Sequence, residues 1–487
     1  MQEKDGIIRL GNPGNNFFSS RYRLLTLLLV FLLVGYQNVK PLPEGTSFIG
    51  APHPTDNIAI VIDRTWLDKN NQRHVELAIY DDMLRIIAEA NKLIVMDMFL
   101  YNDFQGPVAE RTRAIAAELT DALINKKSKV PAIDIVVITD PVNELYGGLP
   151  SPYFETLRQA GIRVVATHLP ALRDSNAVYS FFWRIFVQPF GNVPASTLPN
   201  PIGQGRVSIR SYLDLLNFKA NHRKVLVADS GDEYVGFVSS ANPQDGSSAH
   251  RNLAIRFTGA AVADLLRAEN AVLALSDQQP VDAQLPLAQV KSNTTVQVVT
   301  EGKIRDTILS LIDSTKSDHG IDLMMFYLSE RKIIAALKRA HQRGVRLRLL
   351  LDPNKDAFGR VKSGVPNRPV GYELNRAGIP VKWCNTQGEQ CHAKFIMIHD
   401  NAGKSTLVSG SANYTRRNLA DFNLEANVVI RGDSDKEVFA AVRDQFDAEW
   451  SNAGGRQYSL AFQHYEDRSV WRHWRYRFME WSGISSF

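Results

Sequence analysis

The chain has 487 residues, 44% hydrophobic and 22% charged, ordinary globular values that allow two to four domains with ample buried core. Its two cysteines, Cys384 and Cys391, exclude a disulfide-dense scaffold and a four-cysteine zinc site. A net charge of +5 and an isoelectric point near 9.0 suit anionic lipid or nucleic acid as a partner without selecting either.

Residues 1–23 read as polar and irregular, ending in Arg21 and Arg23. Leu24 to Tyr36 then runs without a charge. This is shorter than the about 20 residues a full membrane span needs and is closer to a signal core. Val34–Lys40 offers no small-x-small cleavage site, and Arg23 can snorkel to lengthen the span. The stretch is expected to be an uncleaved signal anchor, with a cleaved signal peptide or a buried helix as alternatives. Two arginines on its N-terminal flank against Lys40 on the other put the N-terminus in the cytoplasm and the rest on the periplasmic or exoplasmic side. Residues 38–56, with Pro41, Pro43, Gly45, Pro52 and Pro54, read as a linker. The tail and anchor are assigned to residues 1–45.

From there the chain gives one series of elements twice. The first half, 46–280, predicts helix Tyr80–Ala90, strand Leu93–Tyr101, helix Val108–Asn125 and strand Ile133–Ile138 ending in Asp140-Pro141. Helix Tyr153–Gln159, Ala160-Gly161 and strand Ile162–Ala166 follow. The second half, 288–455, predicts helix Ile304–Asp313, strand Ile321–Leu328, helix Lys332–Arg343 and strand Val345–Leu351 ending in Asp352-Pro353. It continues with helix Tyr372–Arg376, Ala377-Gly378 and strand Ile379–Trp383. Strand–helix alternation of this kind predicts a duplicated α/β sheet, with a linker over Ser276–Leu287. The first half also carries an insertion at about 170–216, rich in aromatics over Tyr179–Phe186 and in Pro and Gly over Pro189–Gly205. It suits a lid or acyl-chain contact surface, or else an insertion with its own small core. In the tail, 456–487, Trp471, Trp474, Phe478 and Trp481 share one helical face and Arg468, Arg472, Arg475 and Arg477 fill much of the rest. That pattern suits a membrane interface, or docking on the protein's own surface.

The chemistry lies in a second duplication. His222-Arg223-Lys224 opens an apolar run followed by Ser239-Ser240-Ala241-Asn242, and His392-Ala393-Lys394 opens another followed by Gly410-Ser411-Ala412-Asn413. In each run His and Lys sit two apart on one face of a strand. Two His and two Lys brought together supply a nucleophile, an acid and charge neutralisation, the needs of phosphodiester cleavage. No Asp, Glu and His cluster has metal spacing, so no cofactor is expected. Cys384 and Cys391 are close enough to pair in an exported domain; free buried thiols are the alternative.

These motifs resemble the phospholipase D superfamily, whose signature is His-x-Lys-x4-Asp followed by Gly-Ser-x-Asn in each half. The resemblance covers roughly residues 57–450. It implies two similar halves packed about a pseudo-twofold axis with the active site between them, and catalysis through a phosphohistidine. His222 would be the nucleophile and His392 the acid/base, although the residues leave the order of attack open. Lys224 and Lys394 would hold the phosphate oxygens, with Ser240, Asn242, Ser411 and Asn413 adding hydrogen bonds. Asp229 fills the Asp slot in the first copy; the second has His399 there and Asp400 one residue late. Aligning Asn252-Leu253-Ala254 with Asn423-Leu424-Glu425 puts Glu425 behind His392 and Ala254 behind His222. The expected function is a phospholipase D or cardiolipin-synthase-like phosphatidyltransferase. A membrane-anchored nuclease and an inactive binding protein are the alternatives. Phospholipid and membrane are the expected partners, with no stable nucleic acid partner; the oligomeric state stays open.

Overall fold

The computed structural model describes residues 14–487 except 107, 109–110, 195–196, 284, 286–289, 358–359 and 486. The polar tail expected over 1–13, the side chain of Arg21 and part of the expected 276–287 linker lie outside the described residues. The two strand–helix series fold into two sheets of one plan. The first contains β1 (Ile58–Leu67), β2 (Leu93–Met98), β3 (Asp134–Thr139), β4 (Arg163–Ala166), β5 (Lys224–Ser230), β6 (Glu233–Ser239) and β7 (Asn252–Thr258), in spatial order β1-β7-β6-β5-β2-β3-β4. The second contains β8 (Thr295–Thr300), β9 (Gly320–Met325), β10 (Arg346–Leu351), β11 (Val381–Cys384), β12 (Lys394–His399), β13 (Lys404–Gly410) and β14 (Ala426–Asp433), in the matching order β8-β14-β13-β12-β9-β10-β11. Parallel neighbours need a crossover. Helix Ile115–Lys129 supplies it between β2 and β3, and helix Arg331–Gln342 between β9 and β10. The strands that begin with the lysines run antiparallel to β2 and β9 in the same register, Lys224 opposite Met98 and Lys394 opposite Met325.

Period-two alternation assigns each strand's two faces. Val225 and Val227 of β5, Phe257 of β7 and Phe395 and Met397 of β12 fill one cluster shared by both sheets. Leu226 and Ala228 face helices of the first half, with Ile86 and Leu119. Ile396 and Ile398 face those of the second, with Ile308 and Leu337. The result is a helix–sheet–sheet–helix sandwich whose halves meet through sheet faces. Both faces of the central strands are buried, hence their near-continuous aliphatic sequences.

Two expectations change, and the insertion and tail, left open by the sequence, take definite forms. Helix α1 spans Gly14–Val39, so residues 14–23 are helical rather than irregular. Within α1, Tyr22–Val39 is long and apolar enough to cross a membrane and is unburied. Residues expected as a linker join the second sheet: His53–Pro54 pairs with β8, Ile49 bridges Val299, and Phe48 N–H donates to Thr300 Oγ1. The first half therefore begins at β1, because β8 is an edge strand whose free side this segment covers. The insertion carries helix α2 (Ala177–Phe186), and its Val207 joins Phe104 and Leu145 of the first half in a small cluster, while Phe182, Ile185 and Phe186 of α2 face outward. The tail forms α3 (Val470–Ser482), burying Tyr476 and Glu480. Trp471, Trp474, Phe478 and Trp481 stay 44–77% exposed, so that face does not dock on the protein itself.

Phe257, fully buried between the sheets, tests the sandwich. Phe257→Ala is expected to cost about 3–5 kcal/mol in urea unfolding, whereas Val361→Ala, at a position 90% exposed, should change stability by less than about 0.5 kcal/mol.

Candidate active site

Each histidine is carried by its own half and held by the other. His222 N–H donates to Leu424 O at 2.9 Å, and His392 N–H donates to Arg251 O at 2.8 Å. The return bonds run from Leu424 N–H to Ala220 O and from Arg251 N–H to Gln390 O, both 3.0 Å. The Asp-Pro corners steady the residue before each histidine. Asp140 Oδ2 accepts from Asn221 N–H and Asp352 Oδ2 from Cys391 N–H, both at 2.8 Å. Each Asp also accepts from the backbone two residues on, Val142 and Asn354. Next to His392 a disulfide joins Cys391 to Cys384 at the end of β11, closing the short loop that replaces the first half's insertion.

The imidazoles pack against duplicated aromatics, with His222 4.7 Å from Phe99 and His392 4.9 Å from Phe326 between ring centroids. The ammonium of Lys224 lies 4.7 Å over Phe99 and that of Lys394 5.2 Å over Phe326, an attraction to the ring face. Each Nζ donates to the carbonyl of its own histidine. A cavity of about 310 Å³ between the halves is lined by both histidines, both phenylalanines, Asn242 and Asn413. The two asparagine Oδ1 atoms are buried with no hydrogen-bond partner among the described residues. Among the residues lining this space that the sequence did not single out are Arg417 and Asn418.

Glu425 corrects the sequence alignment. Its carboxylate meets Nδ1 of His222 at 2.9–3.0 Å and also accepts from Ser411 Oγ and Asn418 Nδ2. It therefore backs the histidine of the opposite half and does not back His392. His392 Nδ1 instead lies 3.1 Å from Asn252 Oδ1. The hydrogen bonds show the equivalence: Leu253 N–H donates to Ser240 Oγ as Ala426 N–H donates to Ser411 Oγ. Asn252, and not Ala254, thus occupies the slot that Glu425 fills in the other half. The segment from Asn413 to Glu425 is two residues longer than that from Asn242 to Asn252, which displaced the alignment. Ser240 and Ser411 sit behind these orienting groups rather than against the cavity, Ser240 donating to Asn252 Oδ1. Asp229 is the second correction. At the far end of β5 its carboxylate accepts from the backbone N–H groups of Asn91, Lys92 and Leu93, so it anchors the turn into β2 and takes no part in the site. The phenylalanines were findable, since Met98-Phe99 and Met325-Phe326 end duplicated strands.

Electrostatics follow from burial. Burial pushes His222 down to about 4, against the attraction of Glu425, and pushes Lys224 down to about 7, against Glu425, Asp97 and Asp140. His392 and Lys394 are driven well below their ordinary values by burial first and then by neighbouring cations. Burial raises the Glu425 carboxyl, but His222, Lys224 and Ser411 outweigh it and hold it below the ordinary range. An acceptor-only carboxylate at Nδ1 requires the hydrogen of neutral His222 to sit on Nδ1 and leaves the Nε2 lone pair free. Asn252 Nδ2 faces two acceptors, Asp63 Oδ2 and His250 O. Its Oδ1 is therefore turned to His392 and fixes the same tautomer there without a charge. Burial thus keeps both imidazoles neutral and makes both lysines weaker cations than in water.

In an NMR titration of the free protein His222 is expected to stay neutral until the pH falls to about 4. Glu425→Gln removes the charge that favours the imidazolium, so the midpoint should move lower still. A rise would contradict the assignment of Glu425 to His222.

The model of the cardiolipin synthase, phospholipase D-like domain matches residues 308–450. Over 140 residues, 29% of the chain, the sequence is 28% identical to the mitochondrial cardiolipin hydrolases of Homo sapiens and Mus musculus. The matched stretch spans about half the length of those relatives, 49% and 56%. The phosphatidylserine synthase of Haemophilus influenzae Rd KW20 shares the fold, with a TM-score of 0.55 at 11% identity over 90% of this chain and 96% of that one. The repeated His-x-Lys pairs and the family match over the second of them lead to one assignment: residues 308–450 form a phospholipase D-like domain of the cardiolipin synthase kind.

Proposed function

We propose that the protein is a metal-independent phosphodiesterase or phosphatidyltransferase that acts on phospholipids through a phosphohistidine. The observation that carries this reading is the pair of Nδ1-anchored imidazoles with free Nε2 atoms on one cavity, with a lysine beside each and Asn242 and Asn413 in the cavity wall. A phosphodiester anion supplies negative charge beside both lysines. Lys224 and Lys394 exchange their carbonyl partners for the non-bridging oxygens, and the amide N–H groups of Asn242 and Asn413 serve the same anion.

His222, with Glu425 behind it, is the better nucleophile, because a carboxylate stabilises the positive charge its ring acquires on attack. Its Nε2 bonds to phosphorus as the bond to the leaving alcohol breaks, and His392 Nε2–H protonates that alcohol. Bound phosphate raises the affinity of His392 for this proton. In the second step water or another alcohol gives its proton to His392 and bonds to phosphorus, and the P–N bond breaks. The uncharged Asn252 suits a ring that must both give and take a proton.

Lipid is favoured over nucleic acid by the outward apolar surfaces. Helix α1 is pinned to the catalytic body where Asp174 N–H donates to Gln37 O and Arg173 Nε to Lys40 O. The aromatic faces of α2 and α3 flank the same corner, with Gly483 after α3 packed on Ser175 just before α2. Such tryptophan and phenylalanine surfaces suit the headgroup level of a bilayer. The disulfide beside His392 suits an oxidising compartment and hence a catalytic region on the exoplasmic or periplasmic side.

Mass spectrometry of products from anionic and zwitterionic phospholipids should show phosphatidic acid or new phosphatidyl esters. His222→Ala and His392→Ala should each lower the rate by about 10²–10⁴-fold or more, and EDTA should not. No lipid product under any of these conditions would defeat the proposal. The profile of kcat/KM should rise with pH through about 4, as His222 loses its proton, and fall at higher pH as the acid His392 and the lysines lose theirs, Lys224 through about 7. Replacing Leu28 and Leu32 of α1 by Asp should move the protein from the membrane to the soluble fraction; unchanged fractionation would remove α1 as the anchor.

A further inference from the structure

A second cavity of about 310 Å³ adjoins the catalytic one, and Tyr146 and Lys219 line both. Its outer wall is the insertion, through Trp183, Arg184, Val187 and Gln188, so the second half has no counterpart to it. The wall carries more positive than negative charge. Asp174, fully buried, accepts from both Arg184 at 2.9 Å and Lys219 at 2.7 Å. Lys40 adds a third cation, donating to Pro170 O of the lining. The remaining carboxylate is Asp214, which burial pushes up to about 7. Even with Asp214 ionised, three cations face two anions. Trp183 is 8% exposed, and its indole N–H has no acceptor among the described residues. An unmade bond at the buried indole N–H costs stability unless a ligand completes it.

The missing complement is an anion with acceptor oxygens, in a space open to α2 and reaching the nucleophile's cavity. We propose that this second cavity is an acceptor site, which holds the phosphodiester head group of a second molecule and presents that molecule's free hydroxyl to the catalytic cavity. The inference rests on the phosphohistidine reading above. In it, the hydroxyl oxygen bonds to the phosphorus carried by His222, its proton passes to His392 Nε2, and the P–N electron pair returns to His222. Whether the enzyme transfers or hydrolyses then depends on whether this neighbouring site is filled.

The test is equilibrium binding of glycerophosphoglycerol to the full chain in maltoside micelles, in a His222→Ala background that prevents turnover. Two sites per chain are expected. Val187→Trp, which fills the second cavity, should abolish one of them. Gln188→Glu, which adds a negative charge at its wall with little risk to folding, should weaken the same one at least tenfold. Lys394→Met should abolish the other. Absence of any site weakened by Val187→Trp and Gln188→Glu, in protein with an unchanged thermal melt, would overturn the proposal. Loss of only the Lys394-sensitive site from the wild-type pattern would count against the catalytic reading and leave the second site standing. Phosphatidylglycerol that competes at the Gln188-sensitive site identifies the occupant as a bilayer lipid. Binding it cannot displace identifies a soluble diester, and either result upholds the site.

Discussion

The structure depends on four backbone hydrogen bonds that cross between the halves beside the histidines. They join the His-bearing segment before β5 or β12 to the segment before β14 or β7 of the other sheet. Position and chemistry are fixed by the same bonds, because the residue after Leu424 is Glu425 and the residue after Arg251 is Asn252. Each half thereby delivers the group that orients its neighbour's imidazole. A rigid sheet-on-sheet core behind the site, with Val225, Phe257 and Phe395 in one cluster, keeps these groups in place, as preorganised catalysis requires.

The duplication is accurate in its framework and unequal in its chemistry. Met98 and Met325, Phe99 and Phe326, and Asp140 and Asp352 hold equivalent places. The departures from symmetry are Glu425 against Asn252 and the insertion against the disulfide loop. Both act on the same distinction. The carboxylate favours positive charge on His222 alone, and the insertion places extra surface and a second cavity on the first half's side alone. The two histidines are therefore alike in backbone setting and unlike in electrostatic surroundings.

Local pattern made the strands, the crossover helices and the His-x-Lys pairs legible in the sequence, since period and polarity encode them. The fully apolar runs at 135–138 and 396–398 could only be buried. What the sequence hid was set by pairing at a distance. Glu425 was assigned to the histidine of its own repeat because a turn of different length shifts the alignment, and only the ladder of Ser240 and Ser411 restores it. Asp229 fitted a motif, yet its role is that of an acceptor for three backbone N–H groups, which no spacing reveals. The segment at 46–54 looked like a linker because its prolines discourage regular structure. An edge strand tolerates such residues, and β8 offered one.

That segment also has a history written into it. Phe48 meets Thr300, 252 residues later in the chain, and at about 5–20 residues per second a ribosome takes roughly ten to fifty seconds to make that interval. The first extended piece to emerge is therefore left without its partner while the whole first sheet is synthesised and closes. It must then reach across to a sheet not yet built when it was made. Nascent chains stalled before and after β8 would differ in whether this strap is accessible to a protease.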